Sequence, residues 1–330
     1  MTSTRRQFLQ TVSAAATATS CAALAAPVLA EEKDQLPIID CHQHLWDLKK
    51  FKLPWLTEGP PLGKSFVMDD YLQATQGLNI VKSIYMEVDV APEQQQAEAD
   101  HLIEICQSGK FPTIAAVISG RPAADNFSKY IRPFKGSPYI KGLRQVLHAE
   151  SAQPGLCITK EFVAGIQLLG ELGLSFDLCM RPKELVDGAK LADLCPHTRF
   201  ILDHCGNGDV KAFLPEKRRA GKPADHDAEQ WKKDLALVAS KQNVICKISG
   251  IIARAPKDWS ADDLAPIVNH CLDSFGPGRV IFGSDWPVCL LGASLREWVA
   301  ALRQIIASRP PEEQKKLLHD NAMKFYGLGK

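Results

Sequence analysis

The sequence predicts an α/β protein that folds as a single-domain (β/α)8 TIM barrel over residues 36–328. Eight short apolar segments follow residue 35, and each ends in glycine, proline or polar residues. Segments with helical periodicity lie between them, and this alternation is typical of parallel strands joined by helices. The length agrees, because such barrels typically need about 250 residues.

The eight predicted strands share an apolar character and a polar carboxyl end. In chain order they are PIIDCHQH at 37–44, VKSIYMEVDV at 81–90, TIAAVISG at 113–120, IKGLRQVLH at 140–148, LSFDLCM at 174–180, RFILDHCG at 199–206, NVICKISG at 243–250 and RVIFGSDWP at 279–287. An open doubly wound sheet is the alternative, but no glycine-rich phosphate turn follows the first strand.

The predicted helices show apolar residues at spacings of three and four. The clearest are 93–106, 160–172 and 227–239, and Ser260 is a candidate N-cap for a helix that follows it. The loops at 49–65 and 207–226 are long and polar, so they are candidate lids or solvent-exposed loops.

Residues 1–30 have the features of an export signal rather than of the barrel. Arg5 and Arg6 precede an uncharged, alanine-rich segment, and VLA stands before Glu31 as a small-residue cleavage site. The paired arginines predict twin-arginine export, with folding in the cytoplasm and delivery to the periplasm or cell envelope. A membrane span is the weaker reading of this segment, and Cys21 is a poor candidate for lipidation.

Charge and cysteine content exclude several classes of function. Removal of residues 1–30 takes two arginines from the 39 basic residues and none of the 38 acids, which leaves 37 against 38. This balance predicts no nucleic-acid partner and, after cleavage, no membrane partner.

Ten cysteines, nine of them after residue 30, do not form a disulfide framework, and we expect several of them to be small core residues.

The first strand ends in two histidines, His42 and His44, separated by one residue. On a strand, residues two apart point to one face, so both imidazoles would project together, with Asp40 on the same face. Two imidazoles on one face indicate a metal site or an acid–base pair. Two half-buried polar residues at a strand end would be the structural alternative.

Polar residues recur at the carboxyl ends of most predicted strands. In this barrel class that end carries the active site, so the convergence predicts an enzyme. The candidates are His42 and His44, Glu87 or Asp89, Arg144 and His148, Arg181, His204, Lys247 or Ser249, and Asp285. Trp46 and Trp286 flank catalytic positions and could stack on a sugar ring or pack in the core.

Three motifs, DCHQHLW, LDHCG and FGSDWPV, resemble the amidohydrolase superfamily. Together with PWL at 54–56, KGLRQ at 141–145 and CKISG at 246–250, they resemble more narrowly its amidohydrolase-2 branch of sugar-lactone and dicarboxylate-lactone hydrolases. The resemblance covers essentially the whole chain after residue 30. It implies a TIM-barrel hydrolase with a small-molecule lactone as substrate.

The resemblance also implies roles for single residues. His42, His44 and Asp285 correspond to metal ligands, and Asp285 also to the base that takes a proton from the attacking water. His204 corresponds to the residue that orients the substrate carbonyl, and Arg144 to one that holds an anionic or hydroxyl-rich substrate. Glu87, His148, Arg181, Trp46 and Trp286 complete the expected substrate-binding set.

One departure leaves the metal open. Many members of the superfamily place a histidine at the end of strand five, where this chain reads FDLCMRP. Three ligands can still hold one zinc ion with water in the fourth position, and a metal-free route through His42, His44 and His204 is the alternative. A decarboxylase or amide hydrolase on the same barrel, and a non-catalytic periplasmic binding barrel, remain as rival functions.

Overall fold

Eight parallel strands form one sheet in the order β1 to β8, and this confirms the predicted barrel. The computed structural model describes residues 35–219 and 223–329, so the predicted signal segment and Cys21 lie outside it. The strands are β1 Ile38–Gln43, β2 Ile80–Met86, β3 Thr113–Ser119, β4 Ile140–Val146, β5 Ser175–Cys179, β6 Arg199–Leu202, β7 Val244–Ile248 and β8 Val280–Phe282.

Backbone hydrogen bonds bring the first and last strands together beyond the end of β8. The Asp285 amide donates to the His42 carbonyl over 2.9 Å, and the His44 amide donates to the Trp286 carbonyl over 2.8 Å. Gln43 and Trp286 form a parallel bridge at the same place. This closure sets Asp285 directly beside both histidines of β1, as expected for adjacent first and last strands.

Helices cover the outside of the sheet, and the four predicted from periodicity and capping are present. The helices are α1 Met68–Thr75, α2 Gln95–Ser108, α3 Phe127–Ile131, α4 Lys160–Leu172, α5 Leu185–Leu194, α6 Ala228–Ala239, α7 Ala261–Phe275 and α8 Leu295–Ile306, followed by the C-terminal helical segments Pro311–Lys315, Lys316–Asp320 and Asn321–Tyr326. Ser260 caps α7 as predicted, in a reciprocal capping box with Asp263.

Alternation along the strands sorts the apolar residues into two clusters. Ile38 belongs to the larger cluster that the helices share, whereas its neighbour Ile39 belongs to a smaller one. The smaller cluster joins residues of β1, β2, β3, β6 and β8 to Tyr326 and Leu328 of the C-terminal segment. The C-terminal segment therefore packs against apolar residues of the strands, while the polar residues collect beyond the carboxyl ends of the strands.

The predicted position of Asp40 is wrong. Its Oδ2 accepts a hydrogen bond from the Tyr71 hydroxyl of α1 over 2.9 Å, and its Oδ1 accepts from the Ser284 amide. The pairing of β1 with β2 shifts register between Asp40 and Gln43, and such a shift breaks the period of two. Asp40 therefore anchors α1 and the turn after β8 and does not join the histidines.

All the strands end earlier than predicted, and for β6 and β8 this difference concerns the site. β6 ends at Leu202 and β8 at Phe282, so His204 and Asp285 lie in the segments that follow them. Both have positive φ angles, 54° for His204 and 56° for Asp285. Side-chain-bearing residues rarely adopt this conformation outside functional sites, because it costs of the order of 1 kcal/mol or more.

The cysteines behave as small core residues. All nine in the described part of the chain are buried and free, in agreement with the prediction. None of the described helices has the length and apolar character that a membrane crossing requires.

Candidate active site

A cavity of about 700 Å³ opens at the carboxyl end of the barrel. Seven of the candidate residues line it: His44, Trp46, Asp89, Arg144, His148, His204 and Asp285. The segments after β1, β2, β4, β6, β7 and β8 supply its walls. The end of the barrel at which the cavity lies is the one the sequence predicts.

Asp285 and the two β1 histidines form a compact group at the floor. Asp285 Oδ1 lies 3.3 Å from His44 Nε2 and 3.6 Å from His42 Nε2. All three side chains are buried. Among the described residues, neither Asp285 oxygen accepts a hydrogen bond, so this carboxylate keeps lone pairs for water, substrate or an ion.

This group fits a divalent cation. His44 Nδ1 lies 2.9 Å from the Met86 carbonyl, to which it can only donate, and this leaves Nε2 as a lone pair facing Asp285. Ligand atoms about 2.0–2.2 Å from a tetrahedral zinc ion lie about 3.3–3.6 Å from one another, which matches both distances to Asp285 Oδ1. His42, His44 and Asp285 also form one of two His/Asp groups in the described chain with donor atoms close enough for a metal.

Arg144 competes for one of these donor atoms. Its Nη1 lies 3.1 Å from His42 Nε2. The rest of the guanidinium is held by Glu87, since Nε donates to Oε1 over 2.6 Å and Nη2 to the backbone carbonyl over 2.8 Å. Burial lowers the pKa of Arg144, but Glu87, Cys179 and Asp203 together outweigh burial and raise the pKa overall.

His204 stands on a left-handed turn that requires glycine nearby. Its Nδ1 lies 3.0 Å from Ser249 Oγ, so its Nε2 is the ring nitrogen left to meet a substrate. Gly250 follows with φ 71°, and a Cβ there would lie 2.2 Å from His204 Nδ1. Just after β7, Ser249 therefore contacts the His204 ring, and Gly250 leaves the space that the ring needs.

A buried ionic network underlies the floor. Lys247 Nζ donates to Asp177 Oδ2 over 2.6 Å and to Asp203 Oδ1 over 2.9 Å, and all three side chains are inaccessible. Burial raises the pKa of Asp203, but Lys247, His204 and Arg144 outweigh burial and hold that pKa below its usual value. Burial raises the pKa of Asp177 to about 7, although Lys247 opposes this rise. Of the two candidates from strand seven, Lys247 is thus a buried partner of carboxylates and Ser249 contacts His204.

Burial lowers the pKa of three histidines of the site, His42, His148 and His204. Burial, helped by Lys247 and His204, lowers the pKa of His42 well below its usual value. Burial also lowers the pKa of His204, against the attraction of Asp285 and Asp203. The pKa of His148 falls to about 3, mainly through burial and then through His204 and Arg254. Neutral imidazoles can bind a metal or donate one hydrogen bond each.

Three predicted substrate-binding residues lie elsewhere. Glu87 is fully buried against Arg144. Arg181 donates to Glu184 and to the carbonyls of Ala149 and Ala152. Neither these two residues nor Trp286 lines the cavity.

The two tryptophans next to the catalytic positions are packed rather than free to stack. Trp286 is 2% exposed and meets Phe66 and Tyr71 edge to face. Trp46 borders the cavity but is 1% exposed, and its Nε1 donates to the Lys64 carbonyl. Of the two readings open from the sequence, the structure supports packing.

The structure adds lining residues that the sequence did not single out. Trp55 stands in the loop after β1, Asn207 in the turn after β6, and Arg254 after β7. The PWL motif contained a signal for Trp55, but no pattern marks Asn207 or Arg254. His148 Nδ1 lies 3.4 Å from both Asn207 Nδ2 and Cys179 Sγ.

Comparisons with known proteins find relatives and solved structures that are similar along most of the chain. An L-fucono-1,5-lactonase from Burkholderia multivorans is 28% identical over 301 residues, 88% of this chain and 96% of that protein. An L-rhamnono-gamma-lactonase from Scheffersomyces stipitis is 23% identical over 336 residues, 88% of this chain and 98% of that protein. A crystal structure of a Burkholderia multivorans amidohydrolase with bound zinc superposes with a TM-score of 0.76 at 24% identity, over 89% of this chain and 100% of that one.

The family assignment rests on a match along nearly the whole barrel. The sequence profile of the amidohydrolase family covers residues 39–328, from β1 to the C-terminal segment. That range contains the His42–His44 pair, His204 and Asp285. The chain therefore belongs to the amidohydrolase family of hydrolases.

Proposed function

We propose that the protein hydrolyses a lactone by attack of water, with Asp285 as the general base. The observation that carries the proposal is the Asp285 carboxylate at the cavity floor, held 3.3 Å from His44 Nε2 and free of other hydrogen bonds among the described residues. The relatives that carry sugar-lactonase names support the same reaction class.

The proton has a complete path. Water attacks the ester carbonyl carbon while its proton passes to Asp285, and general-base help of this kind is worth about 10²–10⁴-fold. The tetrahedral intermediate then collapses with cleavage of the ring C–O bond. The proton on Asp285 passes to the departing ring oxygen, which becomes the hydroxyl of the hydroxy-acid product.

His204 has the geometry to bind the carbonyl oxygen. If the Ser249 hydroxyl donates to Nδ1 over their 3.0 Å separation, the neutral ring carries its proton on Nε2. A donor fixed in this way stabilises the oxyanion as it forms. A divalent ion, zinc being our first candidate, held by His42, His44 and Asp285 would supply Lewis-acid charge and a lower pKa for the attacking water.

The charges of the cavity favour a neutral lactone over a dicarboxylate. Both lining arginines are already paired, Arg144 with Glu87 at 2.6 Å and Arg254 with Asp225 at 2.9 Å. The lining also contains Asp89, Glu150 and Asp285. Among the described lining residues, a dicarboxylate would therefore meet no unpaired arginine or lysine side chain, whereas sugar hydroxyls can donate to carboxylates and accept from Arg254.

A substrate panel tests the proposal. Protein of defined metal content is assayed with neutral five- and six-membered sugar lactones, an aromatic dicarboxylate lactone, simple amides and aromatic carboxylic acids. We expect ring opening of the neutral lactones with the highest kcat/KM. Amide hydrolysis or decarboxylation without lactone opening would point to the rival enzymes, and saturable binding without turnover to a binding barrel.

A further inference from the structure

Solvent exposure divides the cavity into a floor and a rim. At the floor, Asp285 is 4% exposed and His204 is 8% exposed. At the rim, Trp55 is 43% exposed and Leu291 is 52% exposed, although both line the same cavity. The reactive groups thus lie deep, and large apolar side chains remain in contact with solvent at the entrance.

Trp55 is held in a fixed orientation despite its exposure. Its Nε1 donates to the Val88 carbonyl over 2.7 Å. Its ring meets Trp46 edge to face, with centroids 5.8 Å apart and planes at 88°. These two contacts restrain the indole, so the Trp55 side chain loses little additional conformational entropy when a ligand stacks on it.

Polar residues stand beside these apolar side chains at the rim, as a sugar ring requires. Glu150 and Ser151 are exposed and line the cavity. Arg254 also lines the cavity and pairs with Asp225 over 2.9 Å. An aromatic face beside carboxylate, hydroxyl and guanidinium groups matches a ring that has an apolar face and hydroxyl edges.

The volume leaves room for such a ring. Cavities of about 300–1,000 Å³ bury drug-sized ligands, and about 700 Å³ places this one well inside that range. A lactone of one sugar ring, placed with its carbonyl between Asp285 and His204, would occupy the floor and leave the rim to water.

We propose that the rim is a subsite for a second sugar ring, so that the substrate is an aldonolactone carrying a glycosyl group. This inference rests on the proposed lactonase function. Water adds to the lactone carbonyl, the ring ester C–O bond breaks, and a glycosyl-aldonic acid is released with its glycosidic bond intact. The second ring stacks on Trp55, and Leu291 provides further apolar surface at the rim.

The test compares one-ring and two-ring lactones on the full chain. Glucono-1,5-lactone and the 1,5-lactone of cellobionic acid are assayed by acid release, corrected for spontaneous hydrolysis. We expect wild type to show at least tenfold higher kcat/KM for the two-ring lactone. Trp55→Ala should lower that value at least tenfold, while the value for the one-ring lactone falls less than threefold.

Further variants separate the subsite from general effects. Leu291→Ala should lower kcat/KM for the two-ring lactone severalfold, whereas Leu194→Ala, which truncates a leucine of similar exposure on α5, should not. Trp55→Phe keeps an aromatic face and should retain most of the preference. If wild type has equal kcat/KM for the two lactones, or if Trp55→Ala lowers kcat/KM equally for both, the subsite proposal is overturned but the lactonase proposal is not. Absence of any lactone opening would instead overturn the proposed function.

Discussion

Arg144 Nη1 and a bound cation would both require the Nε2 lone pair of His42, from which the guanidinium is only 3.1 Å away. One lone pair cannot serve both partners, so the ion pair that fixes Arg144 also opposes metal binding. The Nδ1 of His44 is engaged by the Met86 carbonyl, so its Nε2 is available to a metal whether or not Arg144 contacts His42. The affinity of the site therefore depends on a residue that is not itself a ligand.

Removal of this competitor should strengthen metal binding. Arg144→Met alone would leave Glu87 as an uncompensated buried charge, which typically costs 3–5 kcal/mol. The double variant Arg144→Met/Glu87→Leu replaces the whole pair with apolar groups. We expect its Kd for Zn²⁺, measured by calorimetry, to fall by about tenfold, or about 1.4 kcal/mol.

A remote ion pair provides the control for that measurement. Arg218→Met/Asp263→Leu removes a pair that joins the segment after β6 to α7, away from the cavity lining. Its Kd should match wild type. Unchanged or weaker binding in the Arg144 double variant would show that the guanidinium supports the cation site rather than competing with it.

Ser249 should act as a positioning residue for His204. Ser249→Ala removes the group that lies 3.0 Å from Nδ1, so the ring loses its fixed tautomer. One neutral hydrogen bond is worth about 1 kcal/mol, and we expect kcat to fall about fivefold with KM nearly unchanged.

The conservative variant Ser249→Thr retains a hydroxyl and should recover most of kcat. Ser240→Ala, at the exposed end of α6, serves as the unrelated control. A large rise in KM, or no recovery with threonine, would assign Ser249 to packing or to substrate binding instead.

Local patterns predicted the histidine pair, His204 and Asp285, because strand periodicity and strand ends are visible in the sequence. The direction of the Asp40 side chain was not predicted, since the register shift in β1 depends on contacts with Tyr71 and Ser284. Arg144 posed a similar difficulty. Its partner Glu87 lies 57 residues earlier in the chain, and only the closed barrel brings the two together.

Glu98 should make the fold less stable as pH rises through the neutral range. It is buried on α2, where Oε1 accepts from the Val88 amide over 2.9 Å and Oε2 has no partner among the described residues. Burial, followed by the nearby Glu87, raises the pKa of Glu98 from 4.5 to about 8. Below about pH 4.5 both states are protonated and no penalty applies. Between pH 4.5 and 8 the unfolded state releases the proton more readily, so stability is lost as pH rises.

Glu98→Gln keeps the shape and removes the titration. The free energy of unfolding of this variant, relative to wild type, should increase from pH 5 to pH 8 by a few kcal/mol, since one pKa unit corresponds to about 1.4 kcal/mol. Denaturant unfolding at several pH values measures this. Glu104→Gln changes a 79% exposed side chain on the same helix and should show no such trend. A pH-independent difference for Glu98→Gln would mean that Glu98 ionises normally in the folded protein.

Asp285→Asn should remove most of the activity and leave the fold intact. The amide has nearly the shape of the carboxylate, but it cannot take the proton of water, and general-base loss alone costs about 10²–10⁴-fold. The backbone bond from residue 285 to His42 does not involve the side chain, so closure of the barrel is preserved. We expect kcat to fall by at least ~10³-fold with an unchanged melting temperature. Asp273→Asn, at an exposed carboxylate on α7, is the matched control.

Chelation of wild type then separates two routes. If activity disappears and returns with Zn²⁺, a cation at His42, His44 and Asp285 supplies the charge. If demonstrably metal-free protein keeps its activity, His204 and the neighbouring imidazoles stabilise the oxyanion without it. On either route the proposal assigns the base to Asp285, because its oxygens are the unengaged carboxylate atoms at the floor nearest to both β1 histidines. Near-normal turnover of Asp285→Asn on an accepted lactone would therefore contradict both routes and move the general base to another residue.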